Sequence, residues 1–263
     1  MARFAGKVAL VSGAAQGLGR AIAELLVEEG ANVVLGDIDR ERGTALASDL
    51  GPATCFTLID VSREEDWQRA FQACRDNFGR VDVLVNNAGR FSVGTIETQT
   101  LEEWNGVAAA CATGTFLGCK YGVAALSGDG GAIVNIASIA SLQGMPYAVA
   151  YAAAKGAVES LTRSVAVHCA EMRYPIRCNS VHPGPIDTPM TAAISGQMES
   201  ADLAGYRPTN RAYSSRIHRA EPQAIAEAVL FLASDAARWI NGASLVVDGA
   251  ASAMSAISGV PID

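Results

Sequence analysis

The six cysteines of this 263-residue chain, Cys55, Cys74, Cys111, Cys119, Cys169 and Cys178, never stand in C-x-x-C spacing, and only three histidines accompany them. No zinc pattern can be assembled from such a set, and reduced thiols in a cytoplasmic protein fit it better than a disulfide framework. Cationic clusters are also missing: 20 Lys and Arg are scattered among 27 Asp and Glu, for a formal charge of −7. Such a chain has no electrostatic footprint for nucleic acid. No apolar stretch is long and unbroken enough to span a bilayer, and Met1 to Lys7 run straight into the first apolar segment. Neither a signal peptide nor a membrane partner is expected. Internal repeats, low-complexity tracts and linkers are absent too. What is present is apolar bulk, 50% of the residues, enough for one large core and a single domain over 1–263.

Short β-branched or apolar runs recur at Val8 to Val11, Asn32 to Gly36, Cys55 to Ile59, Val81 to Val85, Ala132 to Ala137, Ile176 to Val181 and Ser244 to Val247. Between them lie helical patterns: Gly17 to Glu29, Arg40 to Leu50, Arg63 to Phe78, Leu101 to Leu126, Ala150 to Glu171 and Pro222 to Ala233. This alternation predicts an α/β fold, a Rossmann-type doubly wound parallel sheet with helices on both faces. Ligands of such sheets bind beyond the carboxyl ends of the strands, near the switch point of strand order. One long stretch, about Thr188 to Arg219, reads as irregular and is expected to form a substrate lid.

The first strand run leads into Ser12-Gly13-Ala14-Ala15-Gln16-Gly17-Leu18-Gly19, which opens the first helix. Glycines in this strand-to-helix position let the backbone approach a pyrophosphate, whose charge meets unpaired N–H groups at the helix start. Asp37 ends the second strand eighteen residues after Gly19, near the spacing of a carboxylate that binds the adenosine ribose. A 2′-phosphate there would meet a like charge, costing about 4 kcal/mol at about 4 Å and an effective dielectric of about 20. Ala14, Ala15, Gln16 and Ile38 offer no compensating cation, which favours NAD over NADP. Asp60 and Val61, at the end of the third strand, are placed to meet adenine, although Asp60 also reads as a helix cap with Ser62 competing. Asn86-Asn87-Ala88-Gly89 ends the fourth strand; its small residues allow close packing on a cofactor, and its amides can bridge loops.

Tyr151 and Lys155 are four residues apart on one helix and share a face. An ammonium beside a phenol favours the phenolate, which makes Tyr151 a candidate general base with its pKa drawn toward neutrality. Ser138, thirteen residues earlier at a strand end, is placed to hold the substrate oxygen near the phenol.

In order and spacing, these motifs, together with His182-Pro183-Gly184-Pro185-Ile186-Asp187-Thr188 and Val246-Val247-Asp248-Gly249, resemble the short-chain dehydrogenase/reductase family over nearly the whole chain. The resemblance implies hydride transfer with a nicotinamide cofactor bound at Gly13, Gln16, Gly17, Leu18, Gly19, Asp37, Ile38, Asp60, Val61, Asn87, Ala88 and Gly89. It implies that Lys155 binds the nicotinamide ribose and that Pro183, Gly184, Ile186 and Thr188 shape the nicotinamide pocket. It also implies a homotetramer in which the Leu101 to Leu126 and Ala150 to Glu171 helices pack between subunits. Ser12 replaces the family's usual threonine and keeps its hydroxyl.

One position departs from the family. Its fourth catalytic residue is an asparagine that holds a helix irregularity and a water leading to the lysine; here Cys111 stands in that place. A thiol is a weak donor and acceptor, so Cys111 is expected to be a buried small hydrophobe, with a backbone carbonyl keeping the water. The stretch Tyr174 to Met190 is most similar to bacterial 3β/17β-hydroxysteroid dehydrogenases and related alicyclic alcohol dehydrogenases. Phe91 to Ile96, Leu142 to Tyr147 and Met190 to Met198 read as apolar walls with few cations, suited to an apolar alcohol or ketone. Two other readings stand beside this one: a 3-oxoacyl-carrier-protein reductase, and a nucleotide-binding protein whose activity is impaired by Cys111.

Overall fold

The apolar runs pair into one sheet. In the computed structural model, which describes residues 2–201, 203, 205 and 219–253, the strands are β1 (Val8–Ser12), β2 (Asn32–Asp37), β3 (Thr54–Leu58), β4 (Val83–Asn86), β5 (Gly131–Ile136), β6 (Ile176–Pro183) and β7 (Ser244–Val247). Their order is β3-β2-β1-β4-β5-β6-β7, every neighbouring pair parallel. Strand order reverses between β1 and β4, and the turns that leave these two strands therefore face each other across the crevice where ligands bind.

Because side chains alternate along a strand, each strand feeds two cores. Ala9, Val11, Val33, Leu35 and Val85 point to one face, where they meet Leu18, Ile22 and Leu26 of helix α1 (Gly17–Glu28), Leu46 of α2 (Arg40–Leu50), and Ile225, Val229 and Leu230 of a helix late in the chain. Val8, Leu10, Val34, Leu84 and Ile133 point to the other, against Trp67, Phe71 and Cys74 of α3 (Glu64–Phe78) and against Leu117 and Cys169. Each fully buried Leu or Ile contributes about 1.5–3 kcal/mol. Both faces are thus covered, as the continuous apolar strands require.

The helical pattern expected over Leu101 to Leu126 is realised in three parts: α4 (Leu101–Ala108), a π turn over Ala109–Thr113, and α5 (Gly114–Leu126). Thr100 caps α4, accepting from the Glu103 N–H at 3.2 Å and donating to the Glu103 carboxylate at 3.1 Å. Next comes α6 (Val149–Glu171). The stretch expected to be irregular from Thr188 begins instead with helix α7 (Pro189–Ser200); the Thr188 hydroxyl accepts from the Thr191 N–H at 3.3 Å and Pro189 occupies the first turn. That pairing of cap and proline is a helix start that the Thr, Ser and Gly residues scattered through the segment had obscured. Most of the remainder of the expected lid, 206–218, lies outside the described residues. The last α-helix among the described residues is α8 (Pro222–Ala233).

Candidate active site

The glycine turn sits against the turn after β4. Gly13 has φ +68°, and a Cβ there would lie 2.8 Å from the Ala88 Cα; a Cβ on Gly19 would collide with the Gly13 carbonyl. Asn87 is the clasp: its side-chain amide donates to the carbonyls of Ser12 and Gly13, both at 3.0 Å. The Ser12 hydroxyl oxygen accepts from the N–H groups of Asn87 (3.1 Å) and Ala88 (3.2 Å), so serine serves where threonine was the expected residue. Gln16 stands at the cap position of α1 with no side-chain hydrogen bond to the helix, and the first turn has no acidic residue. Leu18 and Gly19 are buried in this turn, and Gly17 faces Thr188, its absent Cβ 3.5 Å from the threonine Cβ. An uncapped helix start, pressed against a glycine backbone, fits a pyrophosphate.

Asp37 ends β2 with both carboxylate oxygens engaged: one accepts from the Ala15 N–H, the other from the Asp39 N–H, each at 2.9 Å. A carboxylate offers about four lone-pair sites, and two are left for hydroxyls. The capping of α2 falls to Asp39, which accepts from the Arg42 N–H at 3.0 Å. Ile38 beside it is 71% exposed, an apolar edge at the mouth. A cation does reach this corner: Arg42 donates to the Gln16 side-chain oxygen at 2.6 Å. The sequence reading, confined to the glycine turn and Ile38, missed it; the signal was a cation in the first turn of the helix that follows Asp37.

Asp60 is exposed after β3. Its carboxylate accepts from the Ser62 N–H (3.0 Å) and hydroxyl (2.6 Å), and its own N–H donates to buried Asp66 at 2.8 Å. Neither Asp60 nor Ser62 caps α3 with a side chain; Arg63 occupies that position. Val61 is buried, its carbonyl accepting from the Trp67 indole at 2.9 Å. On the far side, Pro183 is buried at the end of β6, Gly184 donates to the Val247 carbonyl at 3.1 Å, and Ile186 bridges to Ala220.

Ser138 leaves β5 and Tyr151 and Lys155 lie in the first two turns of α6. The Ser138 hydroxyl oxygen accepts from the Ala140 N–H at 3.1 Å, and a hydrogen bond links Ser138 to Tyr151. Lys155 is buried, its Nζ 5.5 Å from the Tyr151 ring centre and donating to the Ile136 carbonyl at 2.6 Å. Phe91 packs on the other side of the phenol, ring centres 4.9 Å apart at 50°. Burial raises the Tyr151 pKa, the Cys111 thiol adds to the rise, and the Ser138 hydrogen bond opposes it. Burial also lowers the Lys155 pKa. The expected fall of the tyrosine pKa is therefore not met in the free chain: desolvation outweighs the ammonium nearby.

Cys111 is fully buried in the π turn but is not a passive hydrophobe. Its Sγ accepts from the Arg90 N–H at 3.3 Å and donates to the Arg90 carbonyl at 3.4 Å, so the thiol pins the chain just after Gly89. The Cys111 carbonyl, expected to hold a water, accepts from the Thr115 hydroxyl at 2.7 Å. Beyond Tyr151 a cleft of about 570 Å³ opens, lined by Arg90, Phe91, Val93, Glu103, Gln197 and Ala201 among others. Its mouth is more polar than the sequence led one to expect.

The chain matches the family model described as enoyl-(acyl carrier protein) reductase over residues 13–252. It is 41% identical to a trans-4-hydroxycyclohexanecarboxylate dehydrogenase of Sinomonas cyclohexanicum, covering 94% of this chain and 93% of that one. A 3-beta-hydroxysteroid dehydrogenase of Comamonas testosteroni is 40% identical, covering 94% and 96%. An NADP-dependent (R)-specific alcohol dehydrogenase of Lentilactobacillus kefiri is 36% identical, covering 94% and 97%. With glycine turn, β4 turn and the Ser138, Tyr151 and Lys155 group all meeting at the carboxyl ends of the strands, the chain belongs to the short-chain dehydrogenases, oxidoreductases that use a nicotinamide cofactor.

Proposed function

We propose that this protein is an NAD-dependent dehydrogenase and ketone reductase acting on a cyclic secondary alcohol of steroid or alicyclic type. The observation that carries the reading is the meeting of Ser138, Tyr151 and Lys155 beside the glycine turn; the names of the relatives narrow the substrate class. A bound nicotinamide ring supplies or takes up the hydride. The glycine turn would hold its pyrophosphate, Asp37 the adenosine ribose with Ile38, Asp60 and Val61 around the adenine, and Asn87, Ala88, Gly89, Lys155, Pro183, Gly184, Ile186 and Thr188 the nicotinamide end.

Ser138 receives the Ala140 N–H on its oxygen, which leaves its own hydrogen for the substrate oxygen. Tyr151, with its pKa raised by burial, is a neutral phenol ready to protonate a carbonyl oxygen during reduction. For oxidation the same phenol must give up its proton first, and the positive nicotinamide ring favours that loss. α7, whose Gln197 lines the cleft together with Ala201 just beyond the helix, acts as its cover. All six cysteines are free, which supports a cytoplasmic protein, and no helix among the described residues is long and apolar enough to cross a membrane.

A panel of hydroxysteroids, cyclic alcohols, hydroxycyclohexanecarboxylates and their ketones, read by NADH absorbance, tests this. Tyr151→Phe should lower kcat by about two to four orders of magnitude on any good substrate while NADH binding is kept. Catalytic efficiency should favour NAD over NADP by about a hundredfold; Asp37→Ala should narrow the gap and Arg42→Ala widen it. NADH binding without turnover across the panel would overturn the enzyme, and equal use of both cofactors would overturn the role of Asp37.

A further inference from the structure

Behind the turn that carries Ser138 lies a completely buried imidazole, His182 of β6. Its Nδ1 is 2.9 Å from the Ser141 hydroxyl and 3.2 Å from the Ser138 carbonyl oxygen, and its Nε2 is 2.8 Å from the Ser180 hydroxyl. Ser141 donates to the same Ser138 carbonyl at 2.7 Å. One tautomer satisfies the whole set: Nδ1 carries the proton and donates toward Ser141 and Ser138, while Nε2 accepts from Ser180. The Ser138 carbonyl is then gripped by Ser141 and His182, and the Ser138 hydroxyl oxygen is fixed by the Ala140 N–H. The hydroxyl hydrogen is left to serve Tyr151 or, in its place, the substrate oxygen.

We propose that His182 is a positioning residue for Ser138: as a neutral Nδ1–H ring it holds the 138–141 turn in the orientation that points the serine hydroxyl at the reacting oxygen. This rests on the reading of Ser138 as the group that binds that oxygen. A neutral ring is what the surroundings favour. Burial lowers the His182 pKa; the Ser138 carbonyl and the Glu159 carboxylate raise it, while Lys155 and Arg163 lower it further. The sign follows: with the folded pKa below its ordinary 6.5, the neutral arrangement, in which Nε2 accepts from Ser180, is complete above that value and is lost as pH falls through the lowered one, while Nδ1 keeps its proton. Protonation would place an N–H against the Ser180 hydroxyl and turn that hydroxyl toward the Ala243 carbonyl, 3.4 Å away.

The test uses His182→Leu, His182→Asn, Ser141→Ala and Ser138→Ala in the full chain, with ketone reduction followed from pH 4.5 to 8 and NADH affinity measured by fluorescence. His182→Leu should lower kcat roughly ten- to a hundredfold, the scale of a misplaced reacting group, with NADH affinity unchanged. His182→Asn, whose amide can donate where Nδ1 does, should regain most of kcat and lose the acid limb of the wild-type profile. Ser141→Ala, at a half-buried site, should lower kcat in the same sense; if the leucine variant does not fold, this variant and the asparagine one decide. Wild-type kcat in His182→Leu or Ser141→Ala, or an unchanged acid limb in His182→Asn, would overturn the proposal. Ser138→Ala separates the two levels: if it collapses turnover while the others do not, the positioning role alone fails, and if it too turns over normally, the reading of Ser138 fails first.

Discussion

At the scale of single residues, Cys111 is the position where chemistry has to be worked out from this chain alone. A buried thiol makes weak hydrogen bonds, yet here it makes one in each direction, to the N–H and to the carbonyl of Arg90. An asparagine amide would offer the same pair, a donor and an acceptor. Cys111→Asn should therefore change kcat by no more than about fivefold, the cost of a slightly larger group in a close-packed site being about 1 kcal/mol. Cys111→Ala removes both bonds and leaves two backbone groups unpaired, at about 1–3 kcal/mol, and should lower both melting temperature and kcat. Steady-state rates and thermal unfolding of the two variants check this; an alanine variant as fast and stable as the wild type would show that the thiol pins nothing. The Tyr151 environment has its own signature. Because burial raises its pKa, the phenol keeps its proton through neutrality, so ketone reduction should hold steady across neutral pH and fall on the alkaline side, while alcohol oxidation should climb as pH rises. Opposite slopes in the two directions are the expected result of pH–rate profiles. Ser138, Tyr151 and Lys155 were legible from spacing because helix geometry puts residues four apart on one face. The balance of pKa terms was not, since desolvation depends on Phe91 and on the fold around the phenol rather than on the neighbours in sequence.

At the scale of elements, the helix that carries Cys111 shows where periodicity stops being informative. Leu101 to Leu126 reads as one apolar pattern, and the π turn inside it leaves the pattern almost intact; such a turn is set by tertiary contact, here the Cys111 thiol on the Arg90 backbone. The end of α8 is another case. Arg177 of β6 donates to the carbonyls of Leu232 (2.7 Å), Ala233 (3.2 Å) and Ser234 (3.0 Å), closing the helix from a neighbouring strand. Carbonyls at a helix end want a cation, and no basic residue in the last turn of α8 supplies one. Arg177→Met should destabilise the fold by about 2–4 kcal/mol, and Arg177→Lys should recover less than half, because an ammonium cannot match a planar fork that spans three acceptors. Chemical denaturation at fixed protein concentration reads both; equal stability of the methionine variant would mean that the carbonyls are served by solvent. Nothing in the sequence near Arg177 marks this role, for its partners are more than fifty residues away.

At the scale of the whole molecule, alternation of strands and helices was enough to foresee a doubly wound sheet, and the strand order places both motif-bearing turns, after β1 and after β4, at its switch point. Surface chemistry carries the next step. Leu101, Trp104 and Phe116 on α4 and α5 are exposed, as are Val167 and Met172 near the end of α6. A second exposed apolar set lies elsewhere, around Phe231 of α8, Trp239 and Val246 of β7, with Trp239 92% exposed. Large apolar side chains in such groups mark contact surfaces, and a closed tetramer of dihedral symmetry needs at least two different self-complementary interfaces. We propose that the two sets supply one each. The free protein should therefore run in light scattering at four times the chain mass of 27.2 kDa. Phe116→Asp should open the first interface and Trp239→Asp the second, each leaving dimers, and the two together should leave monomers with a lower melting temperature, since subunit contacts add to stability by mass action. A wild-type protein that is monomeric at micromolar concentration would refute the tetramer, and dimers that persist in the double variant would place one interface on another surface.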